Sequence, residues 1–595
     1  MIINDINYQQ QTDQKQLKDL KHRQYHVIHQ WYIYLLTVNA CLGTWFYGFN
    51  LGAFNAVQKI MQKTNSWSTN EFTLYTALIT AAMPFGALVG AFCVKYTIPL
   101  LKGVRRSLVF FDYVAIIGTI ILILQSQVAN LIIGRFISGF CVGQNTALVP
   151  MYIIDFAPKE VSGRVGSINQ FFQAFGVFSS YLFSLFLPLP SNLSDGYSDQ
   201  IPWRIAMGAP IIAPIIRLIL FTFLFKIETP TILMKQHKYT ELKQYIHNIY
   251  KEQDCDDVFH DIEDKVISEQ EQAIRKKQAL SQKGHGQKEV ETMKIQHVQS
   301  DDKKDEIILT PESHNVNEIK QKSLDDYFKE KIYDLCSNSS YKSRLLLGCI
   351  ISFTTQFCGV NGINFYSNSI FLETSGKAGA VGEEYARYST IGMGASMVSY
   401  NFISFYLQGR FGRKFLMQLG TIIIIITQLL IGILNTLPQN DALGKVNVFL
   451  IYLFQFGWQI GLGAVTWIIS PEILDPAQVS ISTAIRWTSA MTIGLVFPYL
   501  IIYCNLYGTF FIFTVFTISA CIYFQIYIKE TKGKDCYEIM KSYCDPKKYV
   551  LFQKEATEYS QKRFEEQEKF KKQICNQNME LISEKSKDML KNKQS

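Results

Sequence analysis

Long uncharged blocks rich in Leu, Ile, Phe, Val and Ala alternate with short polar connectors along most of the chain. A helix needs about 20 mostly apolar residues to cross a bilayer. Blocks of that length fall at roughly 31–55, 75–97, 107–126, 129–153, 166–188 and 205–226, and again at roughly 343–371, 388–408, 414–436, 446–470, 481–503 and 507–528. The pattern predicts an all-α membrane protein with twelve transmembrane helices in two six-helix halves. The expected divisions are an N-terminal segment (1–30), the first half (31–226), an insert (227–342), the second half (343–528) and a tail (529–595).

Within the insert, IETPTILMKQHKYTELKQYIHNIY has helical spacing and predicts a small helical domain. The following stretch is polar, charged and almost free of aromatics, so it lacks the apolar residues a core requires and is expected to be disordered. The charged tail after about 545 reads as a solvated helix or an interaction tail.

Charge adds orientation. Only 18% of the chain is charged, against roughly a quarter in a soluble protein. The net charge of +8 does not mark a nucleic-acid binder, because the basic residues flank apolar blocks. Lys15, Lys18, Lys21 and Arg23 precede the first span, Lys102, Arg105 and Arg106 follow the second, and Arg410, Arg413 and Lys414 follow the eighth. Cytosolic loops carry such an excess of Lys and Arg, so both termini and the insert are predicted cytosolic. The loop SNLSDGYSDQIP is then external, and Asn192-Leu-Ser194 within it is a possible glycan acceptor. The polar, basic opening carries no signal-peptide pattern. The 12 cysteines include no C-x-x-C pair, so buried structural thiols are expected rather than a disulfide scaffold or a zinc site. Phosphate loops, metal clusters and nucleophile elbows are missing from the sequence, so neither an enzyme nor a cofactor is expected.

Polar residues inside the apolar blocks are the candidate chemistry, since they are costly in lipid and face the protein interior. The stretch GRFISGFCVGQNTALVPMYIIDFAPKEVSGRVGSINQFFQAFG (134–176) reads as two helices joined by a charged hinge with Pro158, Lys159, Glu160 and Arg164. Its small residues allow close approach, and Gln170 and Gln173 point inward. Asn50 lies within span one, where an amide cannot take up a proton. All nine histidines fall outside the spans, and Asp112 is the one carboxylate clearly within one; Asp155 and Glu472 sit at boundaries. The sequence thus supplies no obvious proton carrier. Span seven, TTQFCGVNGINFYSNSIF, holds Gln356, Asn361, Asn364 and Tyr366, groups that match sugar hydroxyls without charge. The other reading of these amides is polar glue between helices. Gly359 and Gly362 let this span bend, and Gly461 and Gly463 do the same in span ten. Spans ten and eleven carry Trp467 and Trp487, apolar faces for a sugar ring with one N–H donor each. Arg217 and Arg486 also fall within spans. Arg217 either snorkels or meets a carboxylate; Arg486 binds an anionic substrate or pairs with Glu472, and the pairing is preferred.

These motifs resemble the sugar porter family of the major facilitator superfamily, and facilitative hexose transporters in particular. The resemblance rests on the 134–176 stretch, on YGFNLG in span one, on the Gln356…Asn361…Tyr366 segment, on Trp467 and Trp487, and on Lys529-Glu530-Thr531-Lys532-Gly533. It implies the major facilitator fold and substrate contacts from Gln170, Thr355, Gln356, Asn361, Phe365, Tyr366, Trp467 and Trp487. Asn50 occupies the coupling position, an aspartate in proton-coupled relatives. A cytosolic gate is implied at Arg105, Arg106, Arg135, Asp155, Arg410, Arg413 and Glu472. Departures from the family pattern are Thr355 for Gln, Phe365 for Tyr, Gln459 for Glu, Met397 and Ala490 for Asn, and Arg486 for an amide. The loop KYTIPLLKGVRR lacks the Asp/Asn-Arg pair, and Ser162-Gly163-Arg164 alters the Arg-Gly order. The expected function is a hexose facilitator of the plasma membrane that takes a small-molecule sugar and uses alternating access. The alternatives are a proton-coupled sugar or polyol symporter, and a non-transporting nutrient sensor signalling through its insert and tail.

Overall fold

The computed structural model describes residues 27–267 and 324–569, apart from 125, 158, 195–198 and 566–567. The expectations for the N-terminal segment before 27, the disordered part of the insert and the far tail lie outside the described residues. So do Pro158 and the side chains of the hinge through 167.

Helices follow the apolar blocks and break at the polar connectors. In the first half they are α1 Gln30–Thr64, α2 Thr69–Leu101, α3 Val104–Leu124, α4 Val128–Phe156 and α5 Lys159–Phe183. The sixth, α6 (Ile201–Phe223), passes through one turn of tighter 3-10 helix at Ala209–Ile211. In the second half α7 comes in two pieces, Leu324–Phe357 and Val360–Thr374, followed by α8 Gly379–Arg410, α9 Arg413–Leu434 and α10 Asp441–Ile473. A continuous run, Pro476–Tyr527, turns at Asn505 (φ 58°, ψ 175°), which divides it into α11 and α12. Local chemistry sets several starts: Ser68 and Glu71 exchange bonds at the head of α2, and Asn440 accepts from the Leu443 N–H at 2.9 Å at the head of α10.

Nine helices among the described residues are long and apolar enough to cross a membrane. The Pro476–Tyr527 run holds two crossings, and α1 and α8 are long enough but too polar along their lengths to count by hydropathy. Several polar positions of α1, such as Asn39, Asn50 and Asn55, are buried and face protein rather than lipid. Among the described residues the named elements are all helical, the chain is a multi-pass membrane protein, and its helices accommodate the twelve expected spans.

Small residues set the tightest packing. A Cβ at Gly139 or Gly143 of α4 would overlap the carbonyl oxygen of Met83 or Ala87 on α2, and one at Gly48 of α1 the Gln173 carbonyl on α5. Backbone thus meets backbone, the mode favoured where lipid supplies no hydrophobic drive between helices. Gly139→Leu should separate α2 from α4 and cost about 1–3 kcal/mol. Thermal melting of the detergent-purified protein checks this, and an unchanged melting temperature would refute the close contact.

The chain divides into two compact units, residues 1–268 with 345–532, and 269–344 with 533–595. In the first, helices at Pro230–Lys235, Tyr239–Ile249 and 255–267 pack Leu233, Leu242, Ile246 and Val258 against the Phe156 end of α4. Tyr245 donates to the Phe156 carbonyl at 2.9 Å, and Ile28 N–H to the Ile249 carbonyl at 2.7 Å. The opening of the insert thus forms short helices that pack on the end of α4. In the second unit, Arg344 donates to Ser337 Oγ at 2.7 Å, and the Tyr537 and Tyr549 hydroxyls meet at 3.0 Å. The tail continues as helix through 565.

Candidate functional site

Two helix breaks position the central polar residues. Gly359 adopts φ 83°, a left-handed conformation that ends the first piece of α7 and starts the second. Gln356 and Asn361 flank that break, and Asn361 Nδ2 donates to Gln356 Oε1 at 2.5 Å. The second break is a π-helical turn, Gln459–Gly463, inside α10. Such a turn inserts one residue into the ladder and re-aims its neighbours. Here Gln459 and Trp458 reach the same space as Gln356.

That space is a cavity of about 50 Å³ between the two halves of the first unit. Gln170, Gln356, Asn361, Trp467 and Trp487, all expected contacts, line it. Gln173, Asn364 and Arg486, candidates in the sequence though not among the implied substrate contacts, join them, as do Tyr47, Trp458 and Gln459. Met397 and Ala490, where the family has asparagines, line it as well. Among the described residues, Trp487 Nε1 and Gln459 Oε1 are buried without a hydrogen-bond partner. Buried polar atoms are nearly always satisfied, so unpaired ones at a cavity wall suit a hydroxylated ligand. Ligand pockets begin near ~300 Å³, so a sugar needs the halves to part further.

Three expected contacts lie elsewhere. Thr355 is buried and donates to the Ser352 carbonyl at 2.7 Å. Phe365 is 3% exposed and offers its carbonyl to Gln58 Nε2 at 3.0 Å. Tyr366 turns its hydroxyl to the Gly494 carbonyl at 3.1 Å and stacks on Phe497. None of the three lines the cavity: Thr355 faces away within the first piece of α7, and around Tyr366 the second piece leaves helical geometry (φ −129°, ψ 17°). The hydrogen bonds that join the halves gather there. Asn55 donates to Ser367 Oγ at 2.6 Å, Tyr181 to the Asn364 carbonyl at 2.9 Å, and Ser191 N–H to Glu383 at 2.8 Å.

The expected gate residues do not form one set. Arg413 pairs with Glu472 at 3.4 Å, and Glu472 also accepts from Thr531 Oγ1 at 2.5 Å. Asp155 accepts from Thr231 and from Lys265 Nζ at 2.9 Å rather than from an arginine. The two halves repeat a further device. Glu228, just after α6, accepts the Arg105 N–H at 2.7 Å and the Arg106 N–H at 3.4 Å, which caps α3. Glu530, just after α12, accepts the Arg413 and Lys414 N–H groups at 2.8 and 3.1 Å, which caps α9. A carboxylate at a helix N-terminus meets unpaired N–H groups and the positive end of the dipole. Burial pushes the Glu530 carboxyl upward, but the N–H groups of Lys532, Arg413, Lys414 and Thr531 outweigh it and hold it below its ordinary range. Arg410 lies over the Tyr406 ring at 4.7 Å.

Arg135 is a correction. It sits seven residues into α4, about 30 Å by helical rise from the Asp155 end, and is fully buried. It donates to the Asn50 carbonyl at 2.7 Å, and its guanidinium lies over the Phe54 ring. The preferred Arg486–Glu472 pair is also absent: Glu472 is engaged by Arg413, and Arg486 lies over Trp467 instead. Of the two readings of Arg217, the carboxylate holds. Arg217 contacts Asp112 through Nη2 at 2.5 Å and Nε at 2.9 and 3.0 Å, and donates to Asn145 Oδ1 at 2.9 Å. Gly43 leaves room for this guanidinium.

The sugar (and other) transporter family profile matches residues 36–300 and 285–543. Hexose transporter 1 of Plasmodium knowlesi is 26% identical over 83% of this chain and 89% of its own. Facilitated glucose transporter member 3 of Oryctolagus cuniculus (solute carrier family 2) is 24% identical over 86% of this chain and 92% of its own. Among solved structures, the proton:xylose symporter XylE bound to 6-bromo-6-deoxy-D-glucose superposes with a TM-score of 0.62 at 19% identity, covering 87% of this chain and all of that one. Twelve spans in two halves around a polar cavity, together with a profile match over most of the chain, identify it as a member of the sugar porter family of the major facilitator superfamily.

Proposed function

We propose that this sugar transporter is a facilitative carrier of hexose-like sugars that works by alternating access. The cavity between the halves supplies the site, and its amides and indoles suit hydroxyls and the apolar face of a sugar ring. The relatives named above include hexose and glucose transporters as well as a proton symporter, so the coupling mode rests on this chain's own residues.

The observation that carries facilitation is the Asn50–Arg135 contact. Arg135 is buried against a main-chain carbonyl and an aromatic ring, and Asn50 turns its amide back to the Phe46 carbonyl at 3.0 Å. No group in this contact can release and rebind a proton near neutral pH. Asp112, the carboxylate inside a span, has both oxygens engaged by Arg217. Uptake of labelled hexose into liposomes holding the purified protein should therefore saturate and equilibrate equally with and without a pH gradient. Accumulation driven by the gradient would establish a symporter and direct attention to Asp112.

In this reading the termini and the insert face the cytosol, the membrane is the plasma membrane, and Gln170, Gln356, Asn361, Trp467 and Trp487 bind the sugar. The bonds from α1 and α5 to the second piece of α7 close the external side. The Glu228 and Glu530 caps, Asp155 with Lys265, and Arg413 with Glu472 brace the cytosolic ends of each half and keep it rigid as it rocks.

A further inference from the structure

The cavity wall carries one full charge, and it is positive. Arg486 lines it among amides, Tyr47 and tryptophans, and neither Asp nor Glu contributes. The guanidinium lies 4.2 Å from the centroid of the Trp467 ring. That contact holds the planar group by its face and leaves its N–H edges available for a second partner. Among the described residues, none ion-pairs or hydrogen-bonds with it. Glu472 is engaged by Arg413 and Thr531, and Asp475, the acid nearest in sequence, sits in the capping box with Gln478 that starts α11. Arg217, within a span of the first half, holds Asp112 and Asn145; Arg135 has no acidic partner either, but it is fully buried against the Asn50 carbonyl and the Phe54 ring and does not line the cavity. A partly desolvated cation without a counter-charge is costly, and the partner left for it is an anion that enters with the ligand.

We propose that the carried ligand is a monoanionic sugar, a hexuronate or aldonate, whose carboxylate is held by Arg486 while Gln356, Asn361 and Trp487 meet its hydroxyls. The proposal rests on the reading of the chain as a sugar carrier and adds charge selectivity to it. A carboxylate matches the guanidinium fork with two parallel bonds. One cationic group also balances one negative charge, whereas a phosphate ester carries close to two. The loaded site is then neutral and the ligand-free one positive, so each net transfer moves one negative charge across the membrane.

The test uses the full-length protein in liposomes, with labelled glucuronate and labelled glucose taken up under a potassium-diffusion potential. Glucuronate uptake should saturate and rise when the interior is positive. Arg486→Gln should cut it by about tenfold or more, the scale of a lost charge-assisted hydrogen bond, and should lower the ratio of glucuronate to glucose uptake by a similar factor. Arg486→Lys should retain part of the glucuronate uptake. Glucose uptake in both proteins, with glucuronate neither entering nor competing, would overturn the proposal and leave the carrier intact. Loss of both sugars in Arg486→Gln and in Arg486→Lys would mark a structural arginine and overturn it too. Failure of the folded wild-type protein to move either sugar would remove the carrier reading itself, and this proposal with it.

Discussion

Asp112→Asn is expected to cost about 3–5 kcal/mol, because it leaves the Arg217 guanidinium buried in the membrane domain without its counter-charge. Both side chains are 1% exposed. Arg217→Leu should be destabilising for the same reason in reverse. The double change Asp112→Leu with Arg217→Leu removes both charges and should recover most of the loss, since replacing a buried pair by apolar groups is often nearly neutral. Melting temperatures of the three variants in detergent, set in a double-mutant cycle, measure the coupling. A double variant no more stable than either single one would mean that the pair is not the source of the effect. Asn145 and the Ala40 carbonyl also accept from Arg217, so recovery should fall short of complete.

Gln356→Ala and Asn361→Ala should each weaken hexose uptake by roughly three- to tenfold, the worth of about one hydrogen bond to the sugar. The two amides also bond to each other at 2.5 Å across the α7 break, so their effects should not add. The double variant should lose less than the product of the two single losses, because each single change leaves the other amide without its partner. Initial uptake rates against sugar concentration, corrected for the amount of protein in the membrane, give the answer. Unchanged saturation kinetics in both single variants would remove these residues from the site.

Much of this was legible in the residues. Apolar block length gave the twelve spans, since a bilayer imposes one length on every crossing and satisfies no backbone group itself. The amides of span seven and the two tryptophans could be read as a cavity lining because lipid does not tolerate such a density of polar groups. Motif position failed where the backbone departs from a regular helix. Thr355, Phe365 and Tyr366 share a motif with Gln356 and Asn361, but Thr355 points to a different side of its helix from its neighbour Gln356, and Phe365 and Tyr366 sit where the second piece leaves helical geometry. Tyr47, Trp458 and Gln459 were missed as cavity residues, and Arg486 was assigned by preference to Glu472, because α1, α10 and α11 meet only in three dimensions. Tyr47 lies one helical turn before Asn50 and Gln173 one turn after Gln170, which is a signal of a shared face that periodicity alone could have raised. Arg135 was assigned to the wrong end of α4. A Gly-Arg motif names the residue but does not give its depth.

The break in α7 also bears on how fast the carrier works in each direction. Asn55, Gln58 and Tyr181 grip the short piece Val360–Thr374, and that piece is tethered to the rest of its helix through the bend at Gly359. A short segment on a bend can swing away at the expense of a few hydrogen bonds, whereas parting the braced opposite ends moves six helices together. The two faces would then exchange ligand over unequal barriers. A carrier built this way is kinetically asymmetric: at equilibrium it concentrates nothing, yet influx into empty liposomes and efflux into an empty medium saturate at different maximal rates. Comparison of those two rates in the same liposomes would expose the inequality, and equal rates would mean that the bend does not act as a hinge.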